Sequence, residues 1–289
     1  MSALRQRLLP YGLLGPGLIW LVLFFVVPMY FMGELSLKTG SLQTGYQLTW
    51  EWSNYTEAIS DYATQFGRAF WYAGVATILC LLIGYPLAYA IAFKGGRWKN
   101  LMLFAVIAPF FTTYLIRTIA WKTILDDGSP VVSVLKFLQI VPEDGRVLAT
   151  SAAVIAGLTY NFLPFMVLPL YASLERLDQR FIEASKDLYA NTRQTFLRVT
   201  LPLTAPGIIA GVLLTFIPAS GDYVNSTFLG SSNQAMIGNV IQSKYLVVND
   251  YPEAAALSFT LLAIILVALL LYIKFAGSEA LMGDEEETA

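Results

Sequence analysis

Six stretches of this 289-residue chain carry no charged side chain: Leu8 to Gly33, Ala69 to Phe93, Asn100 to Ile116, Val147 to Leu174, Val199 to Gly221 and Ala254 to Ile273. A helix needs about 20 mostly apolar residues to cross a bilayer, and every window but the third reaches that length. The third gains its last turn from Thr118 to Trp121 if Arg117 sits near the interface. Charged residues make up 13% of the chain, against about 25% in a soluble domain. Runs such as LLGPGLIWLVLFFVVPMYF lack the alternation of a spanning β-barrel. The chain reads as an all-α, polytopic membrane protein, a single domain over 1–289.

Other classes fall away. There is no histidine, and the one cysteine, Cys80, lies inside an apolar window. That removes a disulfide framework, a thiolate–imidazole pair and a His/Cys metal site. The net charge of −2 does not suggest nucleic acid. Arg5 and Arg7 precede the first apolar run as in a signal peptide, but the run is too long for a cleaved segment and reads as a retained helix.

The spans are expected at roughly 12–33, 69–93, 100–121, 149–171, 205–222 and 255–275. The stretch YVNSTFLGSSNQAMIGNVIQS, Tyr223 to Ser243, is uncharged but too polar for hydrocarbon. Ile237, Val240, Ile241, Tyr245 and Val248 recur at helical spacing within and beyond it, which predicts a short amphipathic helix on the membrane face. Alternate loops divide lysine and arginine eleven to seven, and the short loop KGGRWKN is basic, so both termini are expected in the cytoplasm. Gly84, Ala88 and Ala92 offer small residues at the spacing that lets helices approach closely. Pro86, Pro164, Pro169, Pro206 and Pro218 interrupt or kink their spans.

The loop 172–204 is long for a connector. Asp178 can cap a helix from Gln179, and Asn191 with Gln194 makes a capping-box start for a second. Ile182, Ser185, Leu188 and Tyr189 give the first helix an apolar face opposite Arg180, Glu183, Lys186 and Asp187. Phe196, Leu197 and Val199 are expected to pack the second helix down, and Pro202 to stop it. Two short helices broken at Ala190–Asn191 make a projecting elbow.

The segment EASKDLYANTRQTFLRVTLPLTAPGI resembles the cytoplasmic signature of ABC importer permeases, which opens Glu-Ala-Ala, continues to a glycine and ends Leu-Pro. Glu183, Ala184, Leu201 and Pro202 match, Ser185 replaces the second alanine, and Tyr189 stands where the family has glycine. LPFMVLPLYASLERLD, PGIIAGVLLTFIPASGDYVNSTFLG and IGNVIQSKYLVVNDYPEAAALS are similar to permeases of spermidine/putrescine importers, over roughly residues 100 to 260. The resemblance implies a type I importer permease fold in a bacterial inner membrane, with a coupling helix inserted into a groove of an ATPase. It also implies a heterodimer with a second permease, two ATPase subunits that bind ATP and magnesium, and an external binding protein. Related permeases carry ferric iron, phosphonates or sulfate.

The chain itself has no G-x-x-x-x-G-K-[ST] phosphate cradle and no expected catalytic role, so energy must come from a partner. The coupling residues expected are Glu183, Ala184, Ser185, Asp187, Leu188, Tyr189, Leu201 and Pro202, with Glu183 paired to Arg180, Lys186 or a basic ATPase residue. Packing of Ala184, Leu188 and Tyr189 in the groove should dominate, because an exposed ion pair is worth only about 0–1 kcal/mol. The outer loops, with Trp50, Trp52, Glu51, Glu57, Asp61, Asp250 and Glu253, are expected to receive the binding protein. For a polycation the pathway should offer carboxylates and aromatic faces. Asp222 and Tyr223 are the first candidates, then Trp121, Tyr160 and Asn161. Arg117 would repel such a cargo and is expected to pair with an acid or reach outward. A secondary transporter or channel would call for ionisable residues in the spans, which the six windows lack. A membrane scaffold would leave the elbow unexplained.

Overall fold

The computed structural model describes residues 14–276. Arg5, Arg7, the first two residues of the first expected span and the acidic tail lie outside the described residues. The chain divides into two compact units, one running up to Ala63 and including Val240–Leu262, the other comprising Thr64–Asn239 and the chain from Ala263.

In the first unit, α1 (Leu14–Ser36) is apolar around its circumference as far as Gly33 and leaves most of that surface exposed, as a lipid-facing helix does. It leads into a hairpin absent from the sequence reading, β1 (Lys38–Ser41) antiparallel to β2 (Gly45–Leu48), with Lys38 opposite Leu48. A Cβ on Gly40 would lie 2.1 Å from the Gly45 carbonyl oxygen, so the hairpin closes only because that position is glycine. The Asn54 side-chain amide donates to the carbonyls of Ser36 and Lys38, and the Ser36 and Tyr55 hydroxyls share a 2.6 Å hydrogen bond. Lys244 forms an ion pair with Glu253, which also accepts from the Tyr62 hydroxyl at 3.0 Å. Partial burial pushes the Asp250 carboxyl above its usual range, and the neighbouring Glu253 adds to the shift. Trp50 and Trp52 remain exposed.

The second long helix, α2 (Ser53–Lys94), begins well before the expected 69 and bends at Tyr62, whose φ of −116° leaves the helical region. The expected third span is two helices, α3 (Gly96–Phe111) and α4 (Tyr114–Ile124), meeting at 95°. This corrects the single span 100–121. Pro109 cannot donate an amide to the helical ladder, the end of α3 tightens to a 3-10 turn, and Thr112 and Thr113 are extended. After α5 (Pro130–Phe137) comes α6 (Ser151–Arg176), capped by the Thr150 hydroxyl, which accepts from the Ala153 amide.

The elbow follows as α7 (Gln179–Asp187) and α8 (Thr192–Leu203), then α9 (Ala205–Ser220). The chain closes with α10 (Val224–Leu229), α11 (Ile237–Ser243) and α12 (Tyr251–Ala276). Pro202 does not stop α8. A π-helical turn over Phe196–Thr200 widens the helix just ahead of it, and the break falls at Thr204, where α8 and α9 diverge by 65°. At 16 residues, α9 rises about 24 Å, short of the roughly 30 Å hydrocarbon core. The fifth crossing therefore needs the bent pair rather than 205–222 alone.

The core of the second unit runs along α6. Cys80, Tyr85, Ala88 and Ile91 of α2 pack on Met166, Val167, Leu170 and Leu174. Gly84 sits against Met166 and Val167, as the small-residue spacing suggested. On the α9 side, a Cβ at Gly207 would meet the Pro169 carbonyl oxygen at 2.8 Å, and one at Gly211 would meet the Met166 sulfur at 2.7 Å. Lipid tails are as apolar as leucine, so this backbone approach, not exclusion from water, holds such helices together.

The polar stretch 223–243 is not a surface helix. Asn225, Ser226, Leu229, Met236 and Ile237 are buried, whereas Tyr245 and Val248 are exposed. The polar groups satisfy one another instead of facing hydrocarbon: the Asn239 side chain accepts from the Ser226 hydroxyl and the Met236 amide and donates to the Tyr223 carbonyl and the Thr227 hydroxyl. Spacing alone could not distinguish this internal pairing from an amphipathic face.

Candidate functional site

The elbow is built by its caps. The Asp178 carboxylate accepts from the Arg180 amide at the start of α7, and Asn191 and Gln194 form both bonds of a capping box at the start of α8. Between them the chain reverses through Tyr189, whose φ of +59° lies in the left-handed region. That conformation is why glycine suits the position, and here a tyrosine adopts it. The turn is secured by the Tyr189 amide donating to the Lys186 carbonyl and the Ala190 amide to the Ser185 carbonyl. Ser185 is buried, and its hydroxyl shares a 2.9 Å hydrogen bond with that of Thr195 on α8.

The expected single apolar face of α7 is therefore divided. Ser185 and Ile182 turn inward, while Leu188 (81% exposed) and Tyr189 (97% exposed) project at the tip. Glu183, Ala184 and Asp187 are also exposed, and Glu183 has no ion pair with Arg180 or Lys186 among the described residues. Phe196 packs edge-on against Tyr85 of α2 at 5.5 Å, and Val199 is half-buried, but Leu197 stays exposed. The Tyr85 hydroxyl is 2.8 Å from that of buried Thr204, the residue at which α8 and α9 diverge. Leu201 packs against the core, and Pro202 lies on the exposed side of the joint. The tip is thus connected through α8 to a joint bonded to α2.

A second site lies where α4, α6 and α10 meet. Asp222 is 8% exposed. One of its carboxyl oxygens accepts from the Tyr114 hydroxyl at 2.6 Å, and the other from the Asn225 amide at 2.8 Å. The Asn225 side-chain amide donates to the same tyrosine hydroxyl at 2.6 Å, and its carbonyl oxygen accepts from Asn161 at 3.1 Å. Asn161 reaches Thr118 at 3.4 Å. The helices approach this closely because Gly157 faces Asn225 and Leu229, where a Cβ would lie 2.3 Å from a Leu229 methyl.

Arg117 departs from expectation. It is 8% exposed, neither paired with an acid among the described residues nor directed outward. Its guanidinium lies 4.9 Å from the Phe110 ring centre and 5.6 Å from that of Tyr114, and its Nε and Nη1 find no acceptor. Of the expected pathway residues, Asp222 and Asn161 belong to the cluster. Trp121 and Tyr160 form an adjoining aromatic pair with ring centres 5.3 Å apart, and Tyr223, next in sequence to Asp222, is exposed. Tyr114, Asn225 and Thr118 were missed. Tyr114 opens α4 just past the Thr112–Thr113 break, a position that an uninterrupted span did not mark.

Residues 84–277 match the model of the binding-protein-dependent transport system inner membrane component. The chain belongs to this family. It is a permease subunit of a binding-protein-dependent importer, and a multi-pass protein of the bacterial inner membrane. It is 39% identical to the spermidine/putrescine transport system permease protein PotB of Haemophilus influenzae, with 91% of each chain covered. It is 38% identical to PotB of Escherichia coli, covering 88% of this chain and 92% of that one. The fold is similar to a chain of the bacterial ABC transporter that imports the acidic polysaccharide alginate, with a TM-score of 0.67, 18% identity and coverage of 94% and 96%. The type I permease fold expected from the loop is the fold observed. Among the described residues no group of three or more His, Cys, Asp or Glu is placed to hold a metal.

Proposed function

We propose that this permease imports a polyamine of the spermidine/putrescine type by alternating access. ATP and magnesium are bound by two partner ATPases, and this chain has no catalytic role of its own. The observation that carries the cargo assignment is the Asp222–Tyr114 pair. A buried carboxyl beside aromatic faces suits an organic cation, which an apolar pathway would reject. The likeness to PotB over most of both chains supports the same reading.

Six crossings enclose a pathway poorly, so a second, similar permease faces this one, and an external binding protein delivers the cargo. The lysine and arginine bias supports a cytoplasmic position for the termini and for the elbow tip. There the exposed Leu188–Tyr189 tip enters an ATPase groove, where its apolar contact outweighs any pairing of Glu183. ATPase closure then moves α7 and α8 as a rigid lever on the Thr204 joint, a rocking of packed helices between two arrangements.

The test is uptake of labelled spermidine into proteoliposomes holding the complete complex. Asp222→Asn is expected to weaken uptake severely while the subunits still co-purify. Uptake equal to the unsubstituted complex at every concentration would remove Asp222 from the pathway.

A further inference from the structure

Arg117 is an anomaly in a pathway for cations. A buried guanidinium without an anion costs several kcal/mol, and two unpartnered donors add to the penalty. What holds it is a pair of ring faces, those of Phe110 at the end of α3 and Tyr114 at the start of α4. Such contacts are worth roughly 0.5–2 kcal/mol each. The two rings stand on either side of the 95° break, so the guanidinium clasps the broken span. The same Tyr114 carries the hydroxyl bonded to Asp222. Ring faces backed by a carboxyl are what an ammonium group would seek, and a cation of the protein already occupies them.

We propose that Arg117 is a tethered stand-in for the cargo. Its guanidinium fills the cation site of the empty permease and is displaced by an incoming ammonium group. Its Nε and Nη1 have no acceptor, so what it gives up on leaving is the two ring contacts, which an incoming ammonium group replaces, and its departure frees α3 to move against α4. Arg117 thereby sets the affinity of the pathway and keeps the break clasped until cargo arrives. The inference rests on the cationic cargo proposed above.

The test is direct binding of spermidine to the detergent-purified complex without the binding protein, measured calorimetrically. Arg117→Gln is expected to tighten binding roughly tenfold, the order for removing one like charge from a partly dry site. Arg117→Met should do the same. Methylguanidinium added to the Arg117→Met complex should compete with spermidine and restore the weaker affinity, but should have no effect on the unsubstituted complex. Unchanged or weaker binding in both variants would overturn the proposal. So would failure of both to assemble, because the clasp must open for cargo and the fold must survive its opening. Asp222→Asn, measured in parallel, separates the two ideas. Unchanged spermidine binding there refutes the cationic pathway itself, whereas loss of binding there with no gain in the Arg117 variants refutes only the stand-in.

Discussion

Replacing Tyr114 with phenylalanine removes one oxygen and keeps the ring. That oxygen donates to Asp222 at 2.6 Å and accepts from the Asn225 side chain at 2.6 Å. A hydrogen bond to a charged group is worth about 1.5–3 kcal/mol and a neutral one about 0.5–1.5 kcal/mol. The variant should therefore lose about 2–4 kcal/mol of stability. Asp222→Asn alone weakens the same bond from the other end, so the two losses must overlap. Unfolding of the purified permease by graded SDS in mixed micelles, run on both single variants and the double variant, should return a coupling energy of about 1.5–3 kcal/mol. Because the ring is kept, the aromatic contact with Arg117 survives, and that part of the site does not confuse the cycle. Additive losses, within about 0.5 kcal/mol, would mean that the hydroxyl and the carboxyl do not interact and that the cluster is misread.

Other outcomes follow from the elbow and the helix contacts. Leu188→Arg should abolish stimulation of the ATPase by loaded binding protein while membrane insertion, followed by fractionation, is unchanged. Tyr189→Gly relieves a left-handed tyrosine and should steady the turn by about 1 kcal/mol, seen as slower amide exchange in the elbow; it should weaken ATPase association in pull-downs, since the exposed ring is lost. Gly211→Leu sets a branched side chain against the Met166 backbone, where even a Cβ lies 3.2 Å from the carbonyl oxygen, and should prevent accumulation of folded permease on blots of membrane fractions. Lys244→Met leaves Glu253 with the Tyr62 hydroxyl alone and should cost about 1 kcal/mol in SDS unfolding, since the pair is only partly exposed.

The crossings were legible because charge is absent over long windows, a signal that averages over many residues. The caps were legible because Asp178, Asn191 and Gln194 act on amides two or three residues away. What failed depended on bends and on contacts made only in the folded chain. The break at Thr112–Thr113 was hidden because Pro109 sits in a window that is apolar on both sides, and several other prolines of this chain lie inside continuous helices. Arg117 was expected to pair with an acid or reach outward because the bend that brings the Phe110 and Tyr114 rings to it was hidden as well. The stretch after Tyr223 looked too polar to bury because Ser226 and Asn239 meet only in the folded chain. The hairpin at Lys38–Leu48 is too short for periodicity to reveal, and it depends on the close approach at Gly40.

The most direct measurement of the account is spermidine accumulation in vesicles carrying the permease pair with binding protein outside, with and without the ATPase and ATP inside. Accumulation only when both are supplied, abolished by Leu188→Arg at the elbow tip, is the predicted result. Equal accumulation in vesicles that lack the ATPase would contradict it.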